Sequence, residues 1–523
     1  MLTFACRVFS SVLAGIALAS AGACTPPSIS EAGPVVGVES GRIAGTRENG
    51  LNVYRGVPYA APPLGDLRWR PPQPAPASED VREAVGFAPA CIQSGVSMPG
   101  EILPATSEDC LYLNIWAPAN ARDVPVLVWI HGGAYRNGSA SMPLYWGDEL
   151  ARHGIVVVSV AYRLGPLGFL AHPELSAENE SASSGNYGLL DQIAALHWVR
   201  RNIAAFGGDP EAVTIAGQSS GATSVNLLMV SPAARNLFHR AIGQSGGMFE
   251  PLELAPGYAL QNAEREGVAY AQELGASSLV ELRALPAQRL LEARPRSGWH
   301  PVVDQAILPR APYDVFAAGE QNRAVLLVGY NADEAASLAD LSGVRAETYA
   351  EDITRAWGQL PAPLIDAYAH ATDTEARAAR SGLERDLRFG WNITTWARLA
   401  AGSGDEPVYL YYFTHEPPFP AGSPYAGWGA AHFAELWYMT GHLEKEAWAL
   451  SAADRRLALH MTGYWVNFVK TGDPNQSTLT PWPEFSASGE QALYLGLEIQ
   501  AGPTPNAEPL AVFDAVYEQV RAQ

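Results

Sequence analysis

The stretch VTIAGQSSGATS, from Val213 to Ser224, contains the pattern G-x-S-x-G around Ser219. A sharp turn of this type connects a strand to a helix, and its glycines let the two elements approach each other. The apolar residues of VTIA are typical of a strand, and ATSVNLLMVS can continue as a helix. The sequence therefore predicts that Ser219 lies at the tip of a strand–turn–helix elbow, with the helix N-terminus facing it.

A second copy of the pattern, RAIGQSGG, surrounds Ser245, but its context differs. The following residues, GGMFEPLELAPG, are rich in glycine and proline and predict a loop. Ser219 is therefore predicted to be the nucleophile and Ser245 is not. A βαβ unit would still place Ser245 beside Ser219, at the end of the neighbouring strand. Its hydroxyl is expected either to support a catalytic group by a hydrogen bond or to be an ordinary loop hydroxyl.

The rest of the chain alternates between strand and helix patterns. Continuous apolar runs predict strands covered on both faces, and a helical apolar spacing lies between two of them. The runs are VLVWI (126–130), IVVVSV (155–160), AVLLVGY (324–330) and VYLYYF (408–413), and the helix is predicted within 189–207. This pattern indicates an α/β fold with a large, mostly parallel central sheet flanked by helices. GPVVGVESGRIAGT and LNVYRGVPYA add a small N-terminal antiparallel sheet, and 34–523 is predicted to be a single domain.

Charge and composition exclude some classes of function. The chain carries 34 basic and 54 acidic side chains, a formal net charge of −20 at pH 7, and 48% of its residues are hydrophobic. Nucleic acids and anionic membrane surfaces require a basic face, so neither is an expected partner. The expected partner is a small molecule, and no metal-ligand spacing is present.

The N-terminus has the pattern of an export signal. Arg7 precedes an apolar run from Val8 to Ala19, and an A-x-A cleavage motif follows. We expect a signal peptide over 1–23, a tether over 24–33, and a periplasmic or extracellular protein. Cys24 directly follows the predicted cleavage site, which is also consistent with a lipoprotein whose lipidated cysteine tethers it to a membrane; plain secretion is the alternative. In an exported chain Cys91 and Cys110 are candidates for a disulfide.

A serine hydroxyl needs a base to activate it and an acid to orient that base. In hydrolases with this elbow the order along the chain is serine, acid, histidine. Of the histidines after Ser219, His432 has the right setting, in the loop GWGAAHFAEL after the VYLYYF strand. The acid should follow a strand, and VLLVGYNADEA offers Asp333 and Glu334, between which the sequence pattern alone does not choose.

The strand VLVWI runs directly into HGGA, from His131 to Ala134. Glycine-rich turns at this place supply backbone N–H groups that stabilise the negative oxygen formed during acyl transfer. The alternative is a simple glycine turn at a strand end.

Taken together, these segments resemble the type-B carboxylesterase/cholinesterase family, in particular its bacterial esterases, over nearly the whole mature length. The matching segments are YRGVPYAAPPLGDLRWRPP, SEDCLYLNIWAP, VLVWIHGGAY, GNYGLLDQIAALHWVRRNIAAFGGDP, GQSSG, RAIGQSGG, GYNADEA, GAAHFAELWYM and WVNFVKTGDPN. The resemblance implies the α/β-hydrolase fold and a serine esterase without metal or cofactor. It also implies Glu334 as the acid, His432 as the base, a disulfide between Cys91 and Cys110, and oxyanion donors at the N–H groups of Gly133, Ala134 and Ser220.

The chain departs from the family beside the nucleophile, where the usual Glu and Ala are replaced by Gln218 and Ser220. In cholinesterases that Glu and a Trp in the Cys-to-Cys loop favour quaternary ammonium substrates. Here the charge is absent and the loop 92–109 has no aromatic residue. We therefore expect uncharged or anionic esters rather than choline esters. Trp299, Tyr425, Trp428 and Trp437 are candidates for an apolar gorge.

Two alternatives remain. Amide or carbamate hydrolysis would use the same three residues. A non-catalytic binding protein, as some family members are, is disfavoured because Ser219, Glu334 and His432 fill all three triad positions.

Overall fold

The computed structural model describes residues 31–99, 101–404, 406–486 and 488–523, and its centre is a 13-stranded sheet. The strands are β1 Glu31–Val38, β2 Gly41–Glu48, β3 Leu51–Pro58, β4 Val81–Glu83, β5 Ala90–Cys91, β6 Thr106–Ser107, β7 Tyr112–Pro118, β8 Val124–Ile130, β9 Val156–Val160, β10 Gly208–Gln218, β11 Arg240–Gln244, β12 Val325–Asn331, β13 Val408–Phe413, β14 Gln491–Leu495 and β15 Ile499–Pro503. β5 and β6 form a separate two-stranded pair.

Helices cover both faces of the sheet, and short 3₁₀ turns connect several of them. The helices are α1 Asp148–Ala151, α2 Gly165–Phe169, α3 Pro173–Glu178, α4 Tyr187–Asn202, α5 Ser220–Val230, α6 Leu260–Glu273, α7 Leu279–Ala284, α8 Pro312–Ala317, α9 Tyr349–Trp357, α10 Ala362–Asp366, α11 Asp373–Arg385, α12 Trp391–Ser403, α13 Leu436–Met439, α14 Ala452–Thr471 and α15 Ala507–Arg521. A π-helical turn, Asp386–Gly390, joins α11 to α12. None of the helices in the described ranges is long and apolar enough to cross a membrane.

Seven neighbouring strands at the centre of the sheet are parallel, in the order β9-β8-β10-β11-β12-β13-β14. Their side chains are buried on both faces, with Val128 in the core on one side and Leu127 in the core on the other. This is why the sequence shows continuous apolar runs instead of an alternating pattern. The predicted α/β fold with a mostly parallel sheet is confirmed.

The N-terminal strands differ from the prediction in one respect. β1, β2 and β3 are antiparallel, as expected, but β3 pairs with β7, so they extend the main sheet and do not form a separate one. β1 begins at Glu31, so the last three residues of the predicted tether lie in this strand. The predicted signal peptide, Cys24 and the beginning of the tether lie outside the described residues.

The carboxyl ends of the parallel strands meet at one edge of the sheet. In such sheets ligands bind at this edge, because the loops that follow neighbouring strands converge there. The turn at His131 follows β8, Ser219 follows β10, Ser245 follows β11 and Glu334 follows β12. The fold therefore brings together segments that are more than 200 residues apart in the sequence.

Candidate active site

Ser219 occupies the predicted elbow between β10 and α5. Its backbone angles, φ 59° and ψ −129°, are strained for a residue with a side chain. The Ser219 N–H donates to the carbonyl oxygen of Gln244, 2.8 Å away, which fixes the turn to the neighbouring strand. The side chain is half-buried. The strain is thus held by the sheet and leaves the hydroxyl at the tip of the turn.

The glycines of the elbow are required by close backbone contacts. A Cβ atom on Gly221 would lie 2.1 Å from the carbonyl oxygen of Ile130, and one on Gly217 would lie 2.4 Å from the carbonyl carbon of Gly221. No side chain fits at either place. The two glycines let α5 pack directly against the end of β8, which carries the HGGA turn.

The HGGA turn lies directly beside Ser219, the predicted nucleophile. A Cβ atom on Gly132 would lie 2.9 Å from Cβ of Ser219. Gly133 and Ala134 both have positive φ, 112° and 54°, and within the described chain nothing accepts a hydrogen bond from their N–H groups. The N–H of Ser220 begins α5, where a helix has no internal acceptor. The N–H groups of the three predicted donors are therefore available to a ligand.

His131, the first residue of this turn, is buried and stacks on Tyr162 with ring centroids 4.5 Å apart. Burial lowers the pKa of His131 to about 4, so the ring is neutral at neutral pH. Nδ1 of His131 lies 2.9 Å from the carbonyl oxygen of Gly132. His131 therefore shapes the turn as a neutral packing residue.

The structure distinguishes the two acidic residues that follow β12. The Oε2 atom of Glu334 lies 2.6 Å from Nδ1 of His432, and both side chains are buried. Asp333 instead accepts the backbone N–H of Ala430 at 2.9 Å and so holds the start of the histidine loop. Of the two carboxylates left open by the sequence pattern, Glu334 is the one that contacts the histidine.

Ser245 contacts the same carboxylate from the other side. Its hydroxyl donates to Oε1 of Glu334 at 2.5 Å, and the backbone N–H of Asn331 donates to the same atom at 2.8 Å. Ser245 is fully buried and has a positive φ of 54°. These contacts leave Oε2 of Glu334 directed at His432.

The ring of His432 lies between an aromatic side chain and an amide. The ring of Phe389, in the π-helical turn, stacks on it with a centroid separation of 4.6 Å and an angle of 10°. Nε2 of Gln218 lies 3.1 Å from Nε2 of His432 and 3.3 Å from Nδ1. If this amide nitrogen lay in the plane of the imidazole ring, it would overlap Cε1. The amide of Gln218 therefore lies over the face of the ring. Within the described chain no hydrogen bond joins His432 to Ser219; Gln218, the residue before Ser219, contacts the ring.

The disulfide between Cys91 and Cys110 is present and closes the loop 92–109. This loop lies against the HGGA turn, because a Cβ atom on Gly133 would be 3.2 Å from Cβ of Ser97. The hydroxyl of Tyr425 donates to the carbonyl oxygen of Pro99 in the same loop. The disulfide loop therefore lies beside the turn that contacts Ser219.

Three of the four predicted gorge aromatics form one cluster. Tyr425 lies 5.5 Å from both Trp428 and Trp437, measured between ring centroids, and Trp428 lies 6.1 Å from Phe433. Phe433 follows His432 directly, so the cluster reaches the predicted base. Trp299 is not part of it and packs on Tyr270 at 5.0 Å.

Sequence reasoning missed a buried carboxylate close to Glu334. Glu435 is fully buried, and burial, followed by the charge of Glu334, raises its pKa to about 7. Burial, followed by the charge of Glu435, raises the pKa of Tyr411. The only sequence signal was an acidic residue in the apolar run FAELWYM, three residues after His432.

Comparison with known proteins gives consistent results. The Carboxylesterase family matches residues 32–513. The chain is 36% identical to a fumonisin B1 esterase of Sphingopyxis macrogoltabida over 89% of this chain and 86% of the relative. It is 35% identical to a para-nitrobenzyl esterase of Bacillus subtilis, over 91% and 97% of the two chains. A solved structure of a PNB esterase superposes with a TM-score of 0.78 at 32% identity and covers 91% of this chain and 99% of that one.

Proposed function

Because the chain belongs to the carboxylesterase family and is a carboxylic ester hydrolase, we propose that it cleaves uncharged or anionic esters through a covalent acyl-enzyme on Ser219. His432 is the general base and Glu334 the acid that orients it. The observation that carries this assignment is the 2.6 Å contact between His432 and Glu334 at the same strand edge as the elbow.

In the first step, Oγ of Ser219 attacks the ester carbonyl carbon while Nε2 of His432 takes its proton. The carbonyl oxygen becomes negative and accepts hydrogen bonds from the N–H groups of Gly133, Ala134 and Ser220. The bond to the alcohol oxygen then breaks, and the alcohol leaves with the proton from His432. In the second step, water loses a proton to His432 and attacks the acyl carbon. The bond from this carbon to Oγ of Ser219 then breaks, His432 returns the proton to Oγ, and the acid is released.

The tautomer of His432 supports this assignment. Because Glu334 accepts a hydrogen bond at Nδ1, the proton of the neutral ring resides there and the lone pair of Nε2 faces away from Glu334. In free enzymes the bond between nucleophile and base is often not formed and tightens only with substrate. We expect substrate binding to bring Oγ of Ser219 and Nε2 of His432 into contact.

The proposed charge preference rests on Gln218. Its neutral amide lies over the imidazole face of His432, and Gln218 occupies the sequence position at which the cholinesterases carry a glutamate. A charge a few ångströms from the reacting centre is worth several kcal/mol of attraction to a cation at an effective dielectric constant of about 20. Without it, a quaternary ammonium substrate gains nothing at this position, and the expected substrates are uncharged or anionic.

Ser219→Ala tests the nucleophile with a panel of p-nitrophenyl esters of increasing acyl length. We expect kcat/KM to fall by at least about 10³-fold, because triad and oxyanion groups act as a unit. Ser245→Ala serves as the matched control in the second G-x-S-x-G copy and should retain measurable turnover. Full activity of Ser219→Ala, or complete loss only in Ser245→Ala, would refute the assignment.

Gln218→Glu tests the charge preference with butyrylthiocholine and a neutral butyryl thioester. We expect the variant to raise the ratio of kcat/KM for the cationic over the neutral substrate by at least about 10-fold. An anilide and a carbamate of the same acyl size in the panel measure whether the site also cleaves those bonds. An unchanged ratio would show that Gln218 does not determine charge preference.

A further inference from the structure

Glu435 is the most unusual charged group outside the proposed triad. It lies three residues after His432, is fully buried, and in the described chain no cation lies within salt-bridge distance of it. Leaving a buried carboxylate without a cation is costly unless hydrogen bonds compensate it. Its hydrogen bonds therefore indicate what it does.

Both oxygens of Glu435 accept hydrogen bonds from side-chain amides. Oε1 accepts from Nε2 of Gln244 at 3.0 Å, and Oε2 accepts from Nδ2 of Asn331 at 2.6 Å. Gln244 is the last residue of β11 and Asn331 is the last residue of β12. One carboxylate thus connects two strand ends and the histidine loop.

Each of these amide residues also anchors a triad member through its backbone. The carbonyl oxygen of Gln244 accepts the N–H of Ser219, and the N–H of Asn331 donates to Oε1 of Glu334, both at 2.8 Å. Glu435 belongs to the segment that carries His432. Glu435 is therefore linked to Ser219 through Gln244 and to Glu334 through Asn331. It is linked to His432 by the short stretch of chain between them.

We propose that Glu435 is a positioning residue that sets the mutual placement of Ser219, Glu334 and His432 without touching the substrate. The inference rests on the proposed function of those three residues. It predicts that a change confined to the hydrogen-bonding character of Glu435 lowers the rate of the chemical step.

The hydrogen bonds leave no freedom to exchange donor and acceptor. Oε1 of Gln244 accepts from the indole N–H of Trp465 at 3.1 Å, and Nδ2 of Asn331 also donates to the carbonyl oxygen of Ala431 at 2.8 Å. If either amide flipped, it would lose its second partner. Position 435 must therefore accept two hydrogen bonds, which a carboxylate does and a glutamine does not.

Glu435→Gln is isosteric but presents an NH₂ group to one of the two amide donors. We expect kcat per active site, counted by titration with a p-nitrophenol-releasing organophosphate, to fall about 10- to 100-fold. KM should stay within about threefold, because the pocket wall is unchanged. The same loss should appear in the rate of inactivation by the organophosphate.

Gln244→Glu combined with Glu435→Gln tests the inference by rescue. In the double variant, one oxygen of the new carboxylate accepts from Trp465, the other accepts from the new amide, and Asn331 keeps its acceptor. We expect kcat per site of the double variant to return to within about fivefold of wild type. Gln244→Glu alone places two carboxylates opposite each other, so it should be at least as impaired as Glu435→Gln.

Asp454→Asn is the matched control for loss of a buried carboxylate. Asp454 accepts from His415, Tyr438 and Ser451, none of which is bonded to a triad residue. We expect lower stability but kcat per titrated site within about twofold of wild type.

Three results would overturn the inference. They are a Glu435→Gln variant with kcat per site within twofold of wild type, a double variant no more active than Glu435→Gln, and a double variant that does not fold. If Glu435→Gln itself does not fold, a folded and active double variant still supports the inference. Activity that survives Ser219→Ala would instead refute the proposed function, so the two failures are distinguishable.

Discussion

Gly221→Ala is the most direct test of the close packing between the elbow and the HGGA turn. The added Cβ would lie 2.1 Å from the carbonyl oxygen of Ile130 and 3.0 Å from the carbonyl carbon of His131. Carbon–oxygen contacts are normally no shorter than about 3.3 Å, so α5 and the end of β8 must separate by about 1 Å. Since φ of Gly221 is not positive, this contact is the main cost of the substitution.

A separation of this size moves Ser219 relative to the N–H groups that follow β8. Misplacement by about 1 Å lowers catalysis by about 10²-fold, and overpacking costs about 1–3 kcal/mol of stability. We expect kcat/KM for p-nitrophenyl acetate to fall about 100-fold per folded molecule. The denaturant midpoint should fall in the same variant.

Gly37→Ala provides the matched control, because Gly37 lies in β1 and a Cβ there would have no atom within 4 Å. Its kcat/KM should stay within about twofold of wild type. The reasoning would be refuted if Gly221→Ala kept kcat/KM within threefold of wild type with an unchanged midpoint, or if the control lost as much activity.

The remaining predictions concern single contacts. Ser245→Ala removes a hydrogen bond to a carboxylate and should lower kcat/KM about 10-fold or more, measured with p-nitrophenyl acetate; a change below twofold would contradict this. Replacing Cys91 and Cys110 by Ser opens a loop of 19 residues and should cost about 3 kcal/mol, measured by denaturant unfolding; an unchanged midpoint would argue against it. Because the pKa of Glu435 is raised in the folded state from 4.5 to about 7, the stability it provides below pH 4.5 should be lost as pH rises through 7. Between these pH values the free energy of unfolding should fall by about 3 kcal/mol more in the wild type than in Glu435→Gln, measured by unfolding curves. The same pH dependence in both proteins would contradict this.

The parallel strands and the elbow were predictable because local patterns determine them. The run VLVWI (126–130) lies within β8, Val124–Ile130, and the predicted helix within 189–207 corresponds to α4, Tyr187–Asn202, and the 3₁₀ turn after it. A strand buried on both faces must be apolar throughout, and glycine must stand where two backbones touch. Both requirements are visible in a window of a few residues.

The choice between Asp333 and Glu334 was not predictable from such a window. Both are acidic, adjacent and placed after the same strand. Their roles diverge because the short 3₁₀ turn after β12 directs Glu334 at His432 and leaves Asp333 beside Ala430, about 100 residues away in sequence. Only the resemblance to a known family selected Glu334 in advance.

The burial of the polar residues around the proposed triad is also not predictable from a short stretch of sequence. Gln244, Asn331 and Glu435 each end or follow an apolar segment, where a single polar residue is normally a surface position. All three are completely buried, and each forms hydrogen bonds with partners about 100 to 220 residues distant in sequence. The pairing exists only after the strands have taken their order in the sheet.

Substitutions of side chains at the site should act differently from substitutions that disturb the backbone. The anchors of Ser219 and Ser245 are backbone N–H groups that donate to Gln244 and Gly329 on neighbouring strands. Side-chain changes cannot remove backbone hydrogen bonds of the sheet, so changes at Ser219 or Ser245 should alter rates while the elbow stays folded. Changes at Gly221, by contrast, force backbones apart and couple loss of rate to loss of stability. Comparing kcat with the unfolding midpoint across both groups therefore separates the sheet framework from the groups that it presents.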